Sequence, residues 1–112
     1  MDQCYIQSII QSYETDLKEI KQNGWVLQFV KEQTPELCLA AVKQHGWALQ
    51  FVQKQTYEIC LAAVKQHGWA LQFVKEQTTD LCWEAVKRNK KVFKCVRGTS
   101  LQKKIKRKLR QP

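Results

Sequence analysis

The sequence contains no apolar run longer than a few residues, far short of the ~20 that a membrane-spanning helix needs. It contains no Cys-x-x-Cys or Cys-x-x-His pair, the spacing that builds zinc sites. No Gly-rich phosphate loop and no Ser/His/Asp arrangement is present, and the chain has only 2 histidines. An enzyme is therefore not expected, and no catalytic residue, metal or cofactor is assigned. Met1, Asp2, Gln3 and Cys4 supply neither the basic start nor the apolar core of a secretory signal. The 5 cysteines, an odd number, suit a reducing compartment better than a disulfide framework. An intracellular chain is the expectation.

Acid is missing from one end. Residues 87–112 hold 12 Lys/Arg and no Asp/Glu, whereas residues 1–86 hold 7 Lys/Arg against 10 Asp/Glu. The net charge of +9 thus joins a body at −3 to an end at +12. What is present in quantity is apolar side chain, 44% of 112 residues, enough for one globular domain.

Those apolar residues recur. GWVLQFVKEQTPELCLAAVKQH begins at Gly24, GWALQFVQKQTYEICLAAVKQH at Gly46 and GWALQFVKEQTTDLCWEAVKRN at Gly68. The first two units agree at 17 of 22 positions, the second and third at 13 of 22. Weaker copies of the frame precede and follow them. Internal repeats of this length signal a stacked array.

Each unit reads as two short helices. In the second half Thr34, Thr56 and Thr78 stand where an N-cap hydroxyl is wanted, and Pro35 suits the first helical position. Glu36, Glu58 and Asp80 then set an acid in the first turn. Leu37, Cys38, Ala41 and Val42 share one helical face, Lys43 lies in the last turn, and Gly46 is expected to stop the helix as its left-handed residue. In the first half Trp47, Ala48, Leu49, Phe51 and Val52 form a second apolar face, with Gln50 and Gln53 outward. No helix is expected to exceed about a dozen residues, a length unstable alone, so stability must come from stacking.

The expected fold is all-α: a short α-solenoid of stacked helix pairs with a 22-residue repeat, plus a C-terminal basic helix. Residues 1–97 form the array, with an N-terminal cap (1–23), three full repeats (24–89) and a C-terminal cap (90–97), and residues 98–112 form a basic amphipathic tail. Asp16, Lys18 and Glu19 replace repeat residues at one end, and Lys90, Lys91 and Lys94 replace Gly, Trp and Gln at the other. Charged ends of this kind suit a finished short array. Because Trp is lost at Lys91, where no full repeat follows, each repeat Trp is expected to pack on its C-terminal neighbour.

The AVKQ-x-G-x-AL-x-x-V unit, with T-x-E-[LI]-C-L between, resembles the short helical repeats of domain-of-unknown-function family 4116. The resemblance covers roughly residues 11–97. It implies a repeat scaffold of no established activity from an amoebal giant virus or an amoeba-associated bacterium. If viral, it would reside in host cytoplasm, nucleus or virion. It carries no catalytic residue to transfer.

Several ladders invite a functional reading. Cys38, Cys60 and Cys82 stand one repeat apart, but stacked helices lie about 8–10 Å from each other, beyond the roughly 7 Å that a disulfide allows. They read as small core residues. His45 and His67, equivalent to Asn23 and Asn89, read as polar residues at helix C-termini. Gly24, Gly46 and Gly68 and Trp25, Trp47 and Trp69 are assigned as structural repeat positions, the tryptophans packing between repeats rather than forming a base-stacking platform. Gln28, Gln50 and Gln72, with Lys43, Lys65 and Lys87, form outward ladders.

The basic end is the sharpest candidate. Gly98 breaks the preceding helix, and Thr99 or Ser100 offers a cap for a new one. Leu101, Ile105 and Leu109 form one apolar stripe among Lys103, Lys104, Lys106, Arg107, Lys108 and Arg110. The stripe suits docking on the last repeat, or weak attraction to anionic lipid. KKIKRK also suits a nuclear-import or nucleic-acid patch, which Lys87, Arg88, Lys90, Lys91, Lys94 and Arg97 extend.

The leading expectation is a non-enzymatic scaffold with a protein partner. The alternative is sequence-nonspecific binding of nucleic acid or another polyanion through the C-terminal end, weakened by salt. The sequence sets no oligomeric state.

Overall fold

The structure, a computed structural model, describes residues 3–111, with side chains from Tyr13 to Gln111. Cys4 and the first turns of the N-terminal cap lie outside the described side chains. In each repeat a threonine starts an α-helix: Oγ1 of Thr34, Thr56 and Thr78 accepts the backbone N–H three residues on, at 3.2, 3.3 and 3.3 Å. These caps open α2 (Pro35–Gln44), α3 (Tyr57–Gln66) and α4 (Thr79–Arg88). α1 (Gln3–Gln22) precedes them and α5 (Thr99–Arg110) follows.

The first half of each repeat is a 3-10 helix rather than the α-helix expected: η1 (Gly24–Phe29), η2 (Gly46–Phe51), η3 (Gly68–Phe73) and η4 (Lys90–Cys95). In η2, Ala48 donates to the His45 carbonyl at 2.9 Å and Val52 to the Leu49 carbonyl at 3.1 Å, both three-residue closures. At six residues each of these 3-10 helices exceeds the roughly three or four usual for this tighter winding. It sets Leu49 and Val52, three apart, on one buried edge.

α1 to α5 pack in succession, and so do η1 to η4, giving two layers in a body of 61 × 25 × 20 Å. Between the layers lie Leu37, Cys38, Ala41 and Val42 of α2 and their counterparts in α3 and α4, with Ile20 closing one end and Ile105 the other. Each fully buried Leu or Ile contributes about 1.5–3 kcal/mol to holding the stack. The chain is therefore an all-α repeat array.

Three local expectations are corrected. α1 runs for 20 residues, longer than the dozen read from the repeat, because its N-terminal part continues beyond the repeat frame. Gly24, Gly46 and Gly68 are not left-handed: Gly98, at φ 91°, is the positive-φ residue among those described. The helices stop instead at His45, His67 and Asn89, which are extended. A Cβ on Gly24 or Gly46 would stand 2.5 or 2.6 Å from the carbonyl oxygen of Ala41 or Ala63 in the next helix, and at Gly68 3.3 Å from that of Ala85. At Gly24 and Gly46 glycine is required for close approach between neighbouring repeats, and at Gly68 the approach is looser. Finally, Gly98 itself is the N-cap of α5, with no side-chain cap bond, and Thr99 and Ser100 lie inside the helix.

Candidate functional site

α5 lies on α4 as α4 lies on α3, so residues 99–110 form the last rung of the stack. Ile105 is fully buried, and Leu101 and Leu109 are half-buried in the same contact. The apolar stripe is thereby consumed and the cations are turned out.

The twelve basic residues divide by what they touch. Glu84 holds Lys87 at 3.0 Å and Arg88 at 3.3 Å. Its hydrogen bond from Lys87, foremost, keeps its carboxyl below the usual carboxylate range. Lys94 lies over the Trp69 ring at 5.1 Å, Lys106 over Phe93 at 5.6 Å and Lys108 over Trp83 at 5.7 Å. The Arg97 guanidinium donates to the carbonyls of Val74 and Lys75. The remaining six, Lys90, Lys91, Lys103, Lys104, Arg107 and Arg110, are exposed and have no acidic partner among the described residues. Lys87, Lys90 and Lys108 also rim a groove of ≈ 400 Å³ floored by Trp83 and Leu109.

The cysteine ladder is internal. Cys38, Cys60 and Cys82 are buried, and their thiols point at Gln33, Gln55 and Gln77 Oε1 at 3.6, 3.6 and 3.7 Å. Burial raises all three thiols; Cys82 is pushed up to about 11, with nearby Arg97 opposing. Such thiols are protonated and unreactive at neutral pH. Among the described residues no three His, Cys, Asp or Glu side chains converge as metal ligands.

Those glutamines were not singled out by the sequence reading. Gln33 Nε2 donates to the Phe51 carbonyl at 2.8 Å while its Oε1 accepts from Gln53 N–H at 2.9 Å. Gln55 does the same with Phe73 and Lys75, and Gln77 with Cys95 and Arg97. Each side chain ties one linker to the next repeat. Gln28, Gln50 and Gln72 bond only the carbonyl three residues back and are exposed.

The tryptophans also reach forward one repeat. Trp25 meets Phe51 edge-on at 5.5 Å and Trp47 meets Phe73 at the same distance, with His45 and His67 beside them at 6.2 and 4.9 Å. Trp69 would meet Cys95, a position no longer aromatic, and Lys94 covers it instead. Asn23 and Asn89 accept from Trp25 N–H and Lys91 N–H, a cap that His45 and His67 do not make.

The outer side of the α layer carries two further grooves. One, of ≈ 560 Å³, lies between α1 and α2 along Tyr13, Leu17, Leu39 and Ala40; the other, of ≈ 440 Å³, lies between α2 and α3 along Leu39, Leu61 and Ala62. Both are edged by the exposed ladder Lys21, Lys43 and Lys65. No helix among the described residues is long and apolar enough to cross a membrane.

No curated protein and no solved structure matches the chain. Comparison with known families matches residues 34–78 and 56–102, beginning at two successive cap threonines, to the family described as "Domain of unknown function (DUF4116)". The two matches overlap and together span more than half of the 112 residues. The chain belongs to this family of helical repeats.

Proposed function

We propose that the protein is a non-enzymatic interaction scaffold that presents the outer face of its α layer to a protein partner. The observation that carries this reading is the pair of apolar grooves along Leu17, Leu39 and Leu61, repeated rung by rung and bordered by exposed charge. Stacked arrays offer such continuous surfaces, and each rung varies independently of the fold. Cysteines kept as buried thiols support a reducing, intracellular setting, consistent with the viral or amoeba-associated source that the sequence resemblance implies. The test is to replace Leu39→Ser with Leu61→Ser, both half-buried, and to compare Gln50→Ser with Gln72→Ser on the η layer. The first pair is expected to lose a partner held by the wild type and the second to keep it.

A second reading is favoured by the six exposed cations at the C-terminal end, Lys90, Lys91, Lys103, Lys104, Arg107 and Arg110, whose side chains are held by no acid, ring or carbonyl among the described residues. They suit the phosphate backbone of nucleic acid, bound without regard to sequence and released by salt. Removing residues 98–112 would uncover the contact of Ile105, so charge reversal is the cleaner test. Lys103→Glu with Arg107→Glu is expected to weaken duplex binding at low salt by at least about tenfold and to flatten its salt dependence. Unchanged binding would remove this reading.

A further inference from the structure

α2 and α3 repeat one surface pattern: an acid, a half-buried leucine three residues on and a lysine seven residues on. The triplets are Glu36, Leu39, Lys43 and Glu58, Leu61, Lys65, and α1 carries the same in Glu14, Leu17, Lys21. Positions i, i+3 and i+7 share one helix face, with acid and lysine about 10 Å apart along the axis. Because α1, α2 and α3 stack in succession, the triplets line up as three parallel rails, acidic, apolar and basic. All six charged residues are exposed, and the ion pairs among the described residues lie elsewhere, on Glu84. On α4 the pattern is closed off, since Glu84 takes Lys87 and Lys108 covers Trp83. The open face is three rungs long.

Three such rails complement themselves in one orientation. A half-turn about an axis lying in the face and parallel to the array sets each acidic rail against a basic one and leucine against leucine. A half-turn about the helix direction sets acid against acid instead. Rung spacing matches without adjustment, because both partners carry the same repeat. We propose that this face is the interface of a symmetric dimer of two parallel copies, an isologous contact in which the α-helices of the two copies run antiparallel. The proposal rests on the reading of the α layer as a protein-contact surface and names its partner as a second copy of this chain.

Three rungs of about 8–10 Å, each about 15 Å wide, bury on the order of 900 Å² in total, at the small end of specific interfaces. A contact this small is a weak, transient one, so dimerisation is sought at dissociation constants of roughly 10–500 µM. Both basic ends fall at one end of the dimer, so their repulsion must be screened; at about 0.15 M salt the Debye length is about 8 Å.

The test is sedimentation equilibrium of the full chain at that salt, up to about 500 µM. The wild type is expected to shift toward dimer mass. Lys43→Glu with Lys65→Glu makes both charged rails acidic on α2 and α3, and Glu36→Lys with Glu58→Lys makes both basic there, leaving two of the three rungs repulsive, so each variant alone is expected to stay monomeric. Their equimolar mixture is expected to form a heterodimer at least as tight as the wild-type dimer. A monomeric wild type, a mixture that stays monomeric, or variants that each still dimerise would overturn the proposal. If the wild type is monomeric but Leu39→Ser with Leu61→Ser still loses a foreign partner, the dimer fails and the contact-surface reading stands.

Discussion

Gln55 reaches across the repeat boundary to Phe73: its side-chain amide donates to the Phe73 carbonyl at 2.8 Å. The same side chain accepts from Lys75 N–H at 2.9 Å and lies beside the Cys60 thiol at 3.6 Å. One residue therefore satisfies a backbone donor and a backbone acceptor where η3 gives way to its linker, a place no helix or sheet ladder serves. Gln33 and Gln77 repeat the arrangement on either side.

Gln55→Ala leaves both of those backbone groups without their protein partner. The expected loss is about 1–3 kcal/mol in urea unfolding, whereas Gln50→Ala, which removes one exposed local bond, stays within about 0.5 kcal/mol. Equal losses at the two positions would show that the inter-repeat bonds contribute nothing special.

Gly46→Ala drives a methyl toward the Ala63 carbonyl oxygen at 2.6 Å, while Gly68→Ala meets the Ala85 oxygen at 3.3 Å. The first is expected to cost about 1–3 kcal/mol. The second is expected to cost less than about 1 kcal/mol, because the entropy removed from the unfolded chain offsets part of the crowding. The order of the two thermal midpoints is the readout, and the reverse order contradicts the close-approach role.

The buried thiols set a pH dependence. Cys82 titrates from an ordinary 9.0 up to about 11 in the folded chain, and burial raises Cys38 and Cys60 in the same direction. The folded state holds its protons longer, so this stability is present below pH 9.0 and lost as pH climbs toward about 11. Cys82→Ala should flatten that alkaline fall relative to wild type, measured by urea unfolding across the interval. A fall of the same size in the variant assigns the dependence to other groups.

Glu84 restrains two of the candidate cations. Glu84→Gln is expected to release Lys87 and Arg88, raising duplex affinity at low salt and steepening the salt slope by about 1–2. The check is fluorescence anisotropy of a labelled duplex over a salt series; an unchanged slope means that neither residue reaches phosphate.

Much of the architecture was legible because its rules are local. Thr34, Thr56 and Thr78 precede an acid and an apolar face, and that pattern alone located α2, α3 and α4. The role of Gln33 was hidden, because its partners Phe51 and Gln53 lie 18 and 20 residues away. The available signal was that Gln33, Gln55 and Gln77 persist while Lys31 and Glu32 become Gln53 and Lys54 in the next repeat. Gly46 misled for a related reason: a glycine after a helix suggests a left-handed stop, yet its constraint comes through space from Ala63. The basic end was visible as charge, but the rings that occupy Lys94, Lys106 and Lys108 are Trp69, Phe93 and Trp83, and only the stack brings them together.

The scaffold reading stands on which layer of the array meets a partner. A photo-crosslinking residue placed at position 61 on the α layer, or at position 50 on the η layer, separates the two surfaces in cell extract. The expected result is a discrete protein adduct from position 61 and none from position 50. Adducts from position 50 with none from position 61 would contradict the assignment of the α layer as the contact face.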